Sequence, residues 1–483
     1  MNDDALAVCT AHVTQAWRDE IIPELHDYIA IPALSPAFDA DWATTGMLAK
    51  AVDQITTWAR RRKIAGLTID VVTLPGRTPT MVFEIPAFNL STNDDDDVVV
   101  LYGHYDKQPE MSGWRGDLGP WTPVRDGDRL YGRGGADDGY SAFGALTAIE
   151  ALQAAGGSHS RCFVLIEGSE ESGSVDLPAY VDVLAERLGT PSLVIALDSS
   201  CLSYDRLWVT TSLRGIVGAT VTVEVLTEGK HSGAVSGIVP SSFRIMRQLL
   251  DRVEDAATGV VLVPELHTEI PAQRVDDARA TAAEFPHATG QPFAGGTRPV
   301  HGDPAEQRLN ATWRPTLSVI GADGLPPTNR AGNVLRPSTT LKLSFRIPPR
   351  VDPERGRQAL IDRLLADPPY DAVVRIDHSE AAPGWDAPEA EPWLRNALDT
   401  ASQRHFGRPA AYIGEGGTIP FMGMLGEKFP GAQFVITGVL GPDSNAHGPN
   451  EYIHLPTAER VTAAVATLLD LHARRHDATN AVR

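Results

Sequence analysis

Residues 98–106 read VVVLYGHYD, and this stretch decides how the rest of the chain is interpreted. The run Val98–Tyr102 is followed directly by Gly103 and then by His104 and Asp106. A short apolar run without polar alternation is typical of a strand that is buried on both faces of a sheet. A histidine and an aspartate at the carboxyl end of such a strand stand where ligands gather in an open α/β sheet.

Three more runs have the same character and predict further buried strands: Cys162–Ile166, Leu193–Leu197 and Phe434–Val439. Between the first two strands, apolar residues at helical spacing predict a helix over Asp138–Ala155, and residues 5–31 show a similar spacing. Strand, helix and strand in succession form a βαβ unit. We therefore predict an α/β fold with a mostly parallel sheet and helices on both of its faces.

The pattern changes near residue 212. Ile216–Leu226 alternates over much of its length, as a half-exposed antiparallel strand does. The later segments predict two more strands and two helices: Thr316–Ile320, Thr340–Ile347, Pro240–Val253 and Pro353–Ala366. Residues 286–305 are rich in Gly and Pro and predict a long loop. We therefore predict a discontinuous first domain, residues 1–211 and 385–483, interrupted by an α+β domain of residues 212–384.

Composition argues against several classes of protein. The 483 residues suffice for two or three domains, and the formal charge of −20 weighs against nucleic acid as a partner. No apolar stretch approaches the roughly 18 residues of a membrane-spanning helix, and we expect no secretory signal. Three scattered cysteines predict neither a disulfide framework nor a metal site, so we expect a cytoplasmic protein. The acidic run at residues 93–97 predicts a solvated loop.

The predicted strand ends carry an unusual set of polar residues. Glu170 and Glu171 follow the second strand, Asp198 follows the third, and His447 comes after a loop beyond the fourth, while Asp137 begins the predicted helix. Each of them alone would more often be structural, but imidazoles and carboxylates gathered at one edge of a sheet are ligands that zinc accepts. GRGGADDG does not match the GxGxxG pattern, and we find no GxSxG or HExxH motif. Nucleotide-binding, serine-hydrolase and single-zinc sites therefore lack their local signatures.

An ordered set of motifs then makes the interpretation specific. The motifs are GHYD (103–106), GRGGADDG (132–139), EGSEESGS (167–174), LDSS (197–200), KHSG (230–233), EGGTIP (415–420) and NAHGPNE (445–451). Together they resemble the metallopeptidase family that contains carnosinase, cytosolic non-specific dipeptidase and aminoacylase. The resemblance runs from about residue 20 to the end of the chain. It implies that residues 212–384 form a ferredoxin-like lid, which also makes a homodimer.

The resemblance implies two divalent metal ions, most often zinc and alternatively manganese. The implied ligands are His104, Asp137, Glu171, Asp198 and His447. Asp137 would bridge the two ions and would be followed by a cis peptide bond to Asp138. Glu170 would be the general base that activates a water between the metals. Asp106 would orient the imidazole of His104.

The resemblance also implies a substrate site in the inserted domain. Arg346 would hold a substrate carboxylate, and Asn333 would make a second contact. His231 would reach the active site of the other subunit and donate to the oxyanion. Backbone groups of a glycine-rich loop would face the substrate: Gly416, Gly417 and Thr418. These roles together predict hydrolysis of an amide bond in a dipeptide or a similar small molecule with a free carboxylate.

The motifs depart from the family pattern in three places that bear on the substrate. Gly414 stands where close dipeptidase relatives usually have an arginine, and Lys107 and Glu110 add charges beside the first metal ligand. LDSS (197–200) stands where an aspartate–asparagine or aspartate–threonine pair is more usual. A dipeptidase is therefore the favoured interpretation, and an amidohydrolase that removes an acyl or carbamoyl group from an amino acid is the alternative. A third hypothesis, from another class, is a metal-free binding protein that retains the fold. The intact ligand set and Glu170 argue against it.

Overall fold

The structure is a computed structural model that describes residues 1–90, 97–286, 293–417 and 420–475. Its chain divides into two units. The first unit comprises Met1–Thr210, Ala387–Tyr412 and Met424–Arg483, and the second comprises Thr211–Asp386 and Ile413–Gly423.

The strands, in chain order, are β1 (Thr68–Val72), β2 (Thr80–Ile85), β3 (Val98–His104), β4 (Val124–Asp126), β5 (Arg129–Tyr131), β6 (Arg161–Glu167), β7 (Pro191–Ala196), β8 (Trp208–Leu213), β9 (Gly215–Glu224), β10 (Lys230–His231), β11 (Thr316–Asp323), β12 (Val334–Leu335), β13 (Ser338–Ile347), β14 (Val373–Ala382), β15 (Trp385–Asp386), β16 (Ala411–Glu415), β17 (Gln433–Ile436) and β18 (Tyr452–His454).

The α-helices, in chain order, are α1 (Asp3–Ala16), α2 (Ile22–Ile29), α3 (Trp42–Thr45), α4 (Met47–Ala59), α5 (Tyr140–Ala154), α6 (Leu177–Val183), α7 (Ala185–Leu188), α8 (Ser232–Val235), α9 (Ser242–Leu250), α10 (Ala272–Glu284), α11 (Pro304–Thr312), α12 (Pro353–Leu365), α13 (Pro392–Phe406), α14 (Pro420–Lys428) and α15 (Leu455–Ala473). Within the described ranges, no helix is both long enough and apolar enough to cross a bilayer.

The first unit is built on a large sheet in the order β1-β2-β6-β3-β7-β17-β8. Its four central strands, β6, β3, β7 and β17, run parallel, and β1, β2 and β8 pair antiparallel at the two sides. All seven residues of β3 are buried, because the strand has a parallel neighbour on each side and its two faces are covered. The predicted α/β class and the four predicted buried strands are confirmed.

Two helices differ from the prediction, one in where it begins and the other in its continuity. The helix predicted over Asp138–Ala155 begins at Tyr140, because Asp137 and Asp138 have non-helical backbone angles. The helix predicted over residues 5–31 is interrupted by a π-helical turn at Trp17–Ile21. Pro23 explains the interruption, since proline lacks an N–H group and its ring displaces the preceding turn.

Helix α5 forms the centre of the first unit's core. It is buried continuously from Tyr140 to Leu152 and packs against α1 and α15. A helix that is apolar on all sides is stable only where other elements cover it on all sides. The first turn of α5 is thereby held in a fixed position directly after Asp137 and Asp138.

The second unit contains a four-stranded antiparallel sheet in the order β11-β13-β9-β14. Helices α9 and α12 pack against it, and the apolar residues between them form a separate core. The strand predicted over Ile216–Leu226 is β9, but it is mostly buried rather than half-exposed, because it lies between β13 and β14. Residues 287–292 of the predicted loop lie outside the described residues, and residues 293–303 form neither helix nor strand.

Candidate metal centre

His104 is the last residue of β3 and is fully buried. Its backbone N–H donates to Oδ2 of Asp138 at 3.2 Å, and its Nδ1 lies 3.1 Å from the main-chain oxygen of Asp106. A carbonyl oxygen can only accept, so Nδ1 carries a proton and Nε2 is the ring nitrogen left to face a cation. The buried Nε2 has no hydrogen-bond partner among the described residues.

Asp137 lies between two histidines. Its Oδ1 is 3.3 Å from Nε2 of His104, and its Oδ2 is 3.0 Å from Nε2 of His447. Burial alone would raise the pKa of Asp137, but the two imidazoles outweigh it and hold the pKa below its ordinary value. The carboxylate is therefore ionised and offers one oxygen to each side. The peptide bond from Asp137 to Asp138 is cis, as predicted.

The five predicted ligands form two groups that share Asp137. One group is His104, Asp137 and Asp198, and the other is Asp137, Glu171 and His447, with the ligand atoms of each group within 4.8 Å of one another. Nε2 of His104 lies 3.7 Å from Oδ2 of Asp198, and Nε2 of His447 lies 3.3 Å from Oε2 of Glu171. Two divalent cations fit this donor set, since each group supplies one imidazole and two carboxylates.

Asp106 contacts both groups of ligands. Its Oδ1 and Oδ2 accept hydrogen bonds from the backbone N–H groups of Glu170 and Glu171, at 3.1 and 3.0 Å. The Oδ1 atom of Asp106 also lies 3.5 Å from Nδ1 of His104, whereas the main-chain oxygen of Asp106 is closer to Nδ1, at 3.1 Å. Asp106 therefore holds His104 chiefly through its carbonyl, while its carboxylate fixes the turn that carries the two glutamates.

The paired glutamates occupy a short 3₁₀ turn, Glu170–Ser172, three residues beyond β6. Burial, and then the charge of Asp198, raises the pKa of Glu170 well above its ordinary value. Burial and Asp137 also raise the pKa of Glu171, although His447 opposes them. A carboxyl group with a raised pKa takes up a proton more readily, which suits a role as an acid–base catalyst.

Gln108 is a contact that the sequence analysis missed. Its Nε2 donates to Oε2 of Glu171 at 2.7 Å, which fixes the carboxylate that faces His447. The sequence feature that could have indicated this contact is the position of Gln108, four residues after His104 and just beyond the GHYD motif. A ligand and the side chain that orients it often lie in one loop.

His447 differs from His104 in its surroundings. It lies in a loop with φ of 62°, and its side chain is 55% exposed, whereas that of His104 is fully buried. Burial lowers the pKa of His447, but Asp137 and Glu171 outweigh it and raise the pKa to about 11. The negative charges of Asp137 and Glu171 stabilise a proton on this imidazole, and for the same reason they would stabilise a metal cation bound beside it.

Residues 100–471 match the sequence profile of Peptidase family M20/M25/M40. The chain belongs to this family. It is therefore an enzyme that hydrolyses peptide bonds with the help of metal ions, and the family predicted from the motifs is confirmed.

Curated relatives and solved structures are similar over most of the peptidase. The cysteinylglycine-S-conjugate dipeptidase of Corynebacterium striatum is 26% identical over 383 residues, 78% of this chain and 81% of the relative. The Beta-Ala-His dipeptidase of Homo sapiens is 25% identical over 456 residues, 90% of this chain and 87% of the relative. The structure of the di-peptidase Dug1p from Saccharomyces cerevisiae has a TM-score of 0.75 at 20% identity and covers 97% of this chain and 98% of its own.

Lys107 has a different environment from the one expected for a charge beside the first ligand. It is fully buried, and its Nζ donates to the main-chain oxygens of Tyr28 at 2.7 Å and Ile31 at 2.8 Å. It also lies 4.0 Å from the centre of the Tyr28 ring. The ammonium group of this peptidase thus satisfies carbonyls at the end of α2, as a helix terminus requires.

In the second unit, His231 and Asn333 lie on one two-stranded ribbon. His231 in β10 is opposite Val334 in β12, and the main-chain oxygen of Asn333 accepts from the N–H of Ser232 at 2.9 Å. His231 is exposed, and a Cβ atom on Gly233 would lie 3.0 Å from its ring. Gly233 therefore leaves room for the imidazole.

Arg346 and the glycine-rich loop also belong to the second unit. Arg346 is half-buried in β13, opposite Thr316 on one side and Ile216 on the other. The main-chain oxygen of Gly416 accepts from Nε of Arg214 at 3.4 Å.

The glycine at position 414 has a steric explanation. A Cβ atom on Gly414 would lie 2.6 Å from Oγ of Ser212 and 3.0 Å from Cβ of Thr312, so a larger side chain at this position would require its neighbours to shift. Gly417, by contrast, has no atom within 4 Å of such a Cβ position among the described residues. Thr418 lies outside the described residues.

Proposed function

We propose that this peptidase is a dipeptidase that uses two divalent ions, zinc first and manganese as the alternative, and acts on substrates with a free carboxylate. The observation that carries the proposal is the carboxylate of Asp137, whose two oxygens face His104 and His447 at 3.3 and 3.0 Å. A carboxylate in this position suits a bridging ligand between two cations. The names of the relatives support dipeptides as the substrate class.

The chemistry requires a proton carrier next to the cations. When bound, two divalent cations lower the pKa of water and polarise a carbonyl oxygen. Glu170 accepts the water proton and later delivers it to the leaving amine, because its neighbour Glu171 is engaged by Gln108 and faces His447. Asp106 accepts hydrogen bonds from the backbone N–H groups of Glu170 and Glu171 and so fixes the turn in which these two residues take different roles.

Recognition of the substrate carboxylate is assigned to Arg346. A guanidinium group binds a carboxylate through two parallel hydrogen bonds, and this geometry needs a rigid support. The support is β13, which pairs along its whole length with β9 and over most of it with β11. Asn333 and the backbone of Gly416 and Gly417 are the proposed further contacts, because glycine permits close approach of the main chain.

We propose that His231 acts in the active site of a second subunit of a homodimer. Its exposure on the β10–β12 ribbon supports such a role. His231→Ala should lower kcat by about 10²- to 10³-fold, the usual effect of losing one oxyanion donor. Mixing His231→Ala with Glu170→Gln should restore activity. In a mixed dimer, one active site combines the native Glu170 of the first variant with the native His231 of the second. Full turnover by His231→Ala, or by a strict monomer, would contradict the shared site, and Lys230→Ala is the matched control.

The substrate class is tested with a panel of dipeptides and N-acyl or N-carbamoyl amino acids, using protein loaded with Zn²⁺ or Mn²⁺. We expect dipeptide turnover, and Glu170→Gln should lose about 10²- to 10⁴-fold in kcat while it still binds two ions. Fast release of acyl groups without dipeptide turnover would favour the alternative, an amino-acid amidohydrolase. Binding of fewer than two ions by the active wild-type protein would contradict the proposed centre.

A further inference from the structure

A buried ion pair joins the two loops that carry Asp137 and His447. The guanidinium of Arg133 donates from Nη1 to Oε2 of Glu451, and the two side chains are 1% and 0% exposed. The other carboxylate oxygen, Oε1, accepts from the backbone N–H of Gly134 at 2.8 Å. Both residues lie in motifs that supply a ligand, Arg133 four positions before Asp137 and Glu451 four positions after His447.

Arg133 and Glu451 also bind the main chain of these loops. Nη2 of Arg133 donates to the carbonyl oxygen of Gly448 at 3.0 Å, and its Nε donates to that of Pro109 at 3.2 Å. The carbonyl oxygen of Glu451 accepts from the N–H of Gly132 at 2.9 Å. The pair therefore connects the loop of His447 to the loop of Asp137 and to the segment that follows β3.

The loop of His447 requires such contacts. Four of its non-glycine residues have a left-handed backbone conformation, with φ between 54° and 63°: Asp443, Asn445, His447 and Asn450. L residues adopt this region rarely, and it persists only where surrounding contacts impose it. The contacts of Arg133 and Glu451 with this loop help to hold the conformation at His447.

Apart from the shared Asp137, the other ligand group has separate supports. His104 is the final residue of a buried strand, and its backbone N–H and Nδ1 are bonded to Asp138 and Asp106. Asp198 follows β7 by two residues. Loss of the ion pair should therefore act on the His447 side far more than on the His104 side.

We infer that Arg133 and Glu451 are positioning residues that set the 3.0 Å contact between Asp137 and His447 and thereby control metal affinity at the group Asp137, Glu171 and His447. The inference rests on the proposed two-metal function and adds to it an asymmetry between the two metal sites. Because the side chains act as one unit, removing either should have nearly the effect of removing both.

The test is a Zn²⁺ titration of the full-length, metal-free protein by calorimetry, with no substrate present. Wild type should bind two ions. Arg133→Met and Glu451→Gln should each keep one site near its wild-type affinity and weaken the other by about tenfold or more. The double variant Arg133→Met/Glu451→Gln should match the single variants. Arg133→Lys, which retains the charge but not the planar fork, should lie between wild type and Arg133→Met.

Arg62 provides the matched control, because it forms a second buried pair with Glu150 in the same unit, at 3.5 Å and with side chains 7% and 6% exposed. Arg62→Met should lower stability and leave both Zn²⁺ sites unchanged. Unchanged affinities in Arg133→Met and Glu451→Gln would overturn the inference, and so would equal weakening of both sites, which would indicate a general folding role. Failure of wild type to bind two ions would instead overturn the proposed function, and the inference with it.

Discussion

At the scale of single residues, Asp106 organises more of the site than any ligand does. Its main-chain oxygen holds Nδ1 of His104, and its carboxylate accepts from the N–H groups of Glu170 and Glu171. One residue thus fixes the tautomer of a candidate ligand and the position of the proposed proton carrier. The carboxylate is fully buried, so these bonds have no competition from water.

We predict that Asp106→Asn lowers kcat/KM and metal affinity by about 10- to 100-fold, as the loss of an orienting contact does in other metal sites. An asparagine side chain has one accepting oxygen, so the N–H of Glu170 or Glu171 would face an NH₂ group. Kinetics and Zn²⁺ titration measure the effect.

Asp176→Asn is the control for Asp106→Asn. Asp176 also accepts a backbone N–H, that of Thr78 at 2.9 Å, and is buried, but it does not touch a ligand residue in any contact described for it. Asp176→Asn should lower the stability of the protein and leave its metal affinity unchanged. Equal loss of metal affinity in both variants would contradict a specific role for Asp106.

The sequence predicts the candidate ligands that the structure groups together, but not the contacts that arise between distant segments. His104, Asp137 and His447 each lie in a motif whose order along the chain is informative. Lys107 lies in such a motif too, yet its role depends on where α2 ends, because its partners are the carbonyls of Tyr28 and Ile31. No local pattern encodes that approach.

At the scale of elements, β3 is fixed at both ends by polar contacts. His104 ends the strand, and Asp97 immediately precedes it. Oδ2 of Asp97 accepts from Arg475 at 2.7 Å and from Ser160 at 3.0 Å, and lies 3.7 Å from His472. The prediction of a solvated acidic loop is wrong for Asp97, which is half-buried, and residues 93–96 lie outside the described residues.

We predict that the Asp97 contacts make stability depend on acid pH. Burial raises the pKa of Asp97, but Arg475 and His472 outweigh it and lower the pKa from 3.8 to about 2. A depressed carboxyl pKa stabilises the folded state above the unfolded value and loses that effect as the pH falls from about 4 to about 2. Asp97→Asn should lower the free energy of unfolding by about 1–2 kcal/mol at pH 7, after allowance for solvent screening, and by much less near pH 2.

Urea denaturation of wild type and Asp97→Asn between pH 2 and 7 measures this difference. Asp53→Asn is the control, because Asp53 is exposed on α4 and should contribute little at any pH. A difference between wild type and Asp97→Asn that stays constant across this range would contradict the proposed cause.

The central elements were predictable because burial on both faces leaves a plain signal. The strands β3, β6, β7 and β17 are short apolar runs, and the helix α5 is rich in apolar residues at helical spacing. The edge strand β1, its neighbour β2 and the helices α10 and α11 were not predicted. β1 has only five residues and none of them is buried, and α10 has only two buried residues, so neither carries a strong apolar signal.

At the scale of the whole molecule, each unit has its own apolar core. All five candidate ligands belong to the first unit, although they come from segments as distant as β3 and the loop before β18. A cation that binds them therefore ties together parts of the chain that are far apart in sequence. Metal binding should stabilise the folded first unit because the unfolded chain cannot assemble the same donors.

We predict that chelation lowers the melting temperature and that Zn²⁺ restores it. A ligand at a hundredfold excess over its Kd adds about 2.7 kcal/mol, which corresponds to a rise of roughly 5 °C or more for a domain of this size. In hydrogen exchange, the added protection should fall on peptides of β3, of α5 and of residues 442–451. Asp137→Asn, which removes the carboxylate shared by both ligand groups, should abolish the rise and the added protection together. A Zn²⁺-induced rise that survives in this variant would mean that the stabilising cation binds elsewhere.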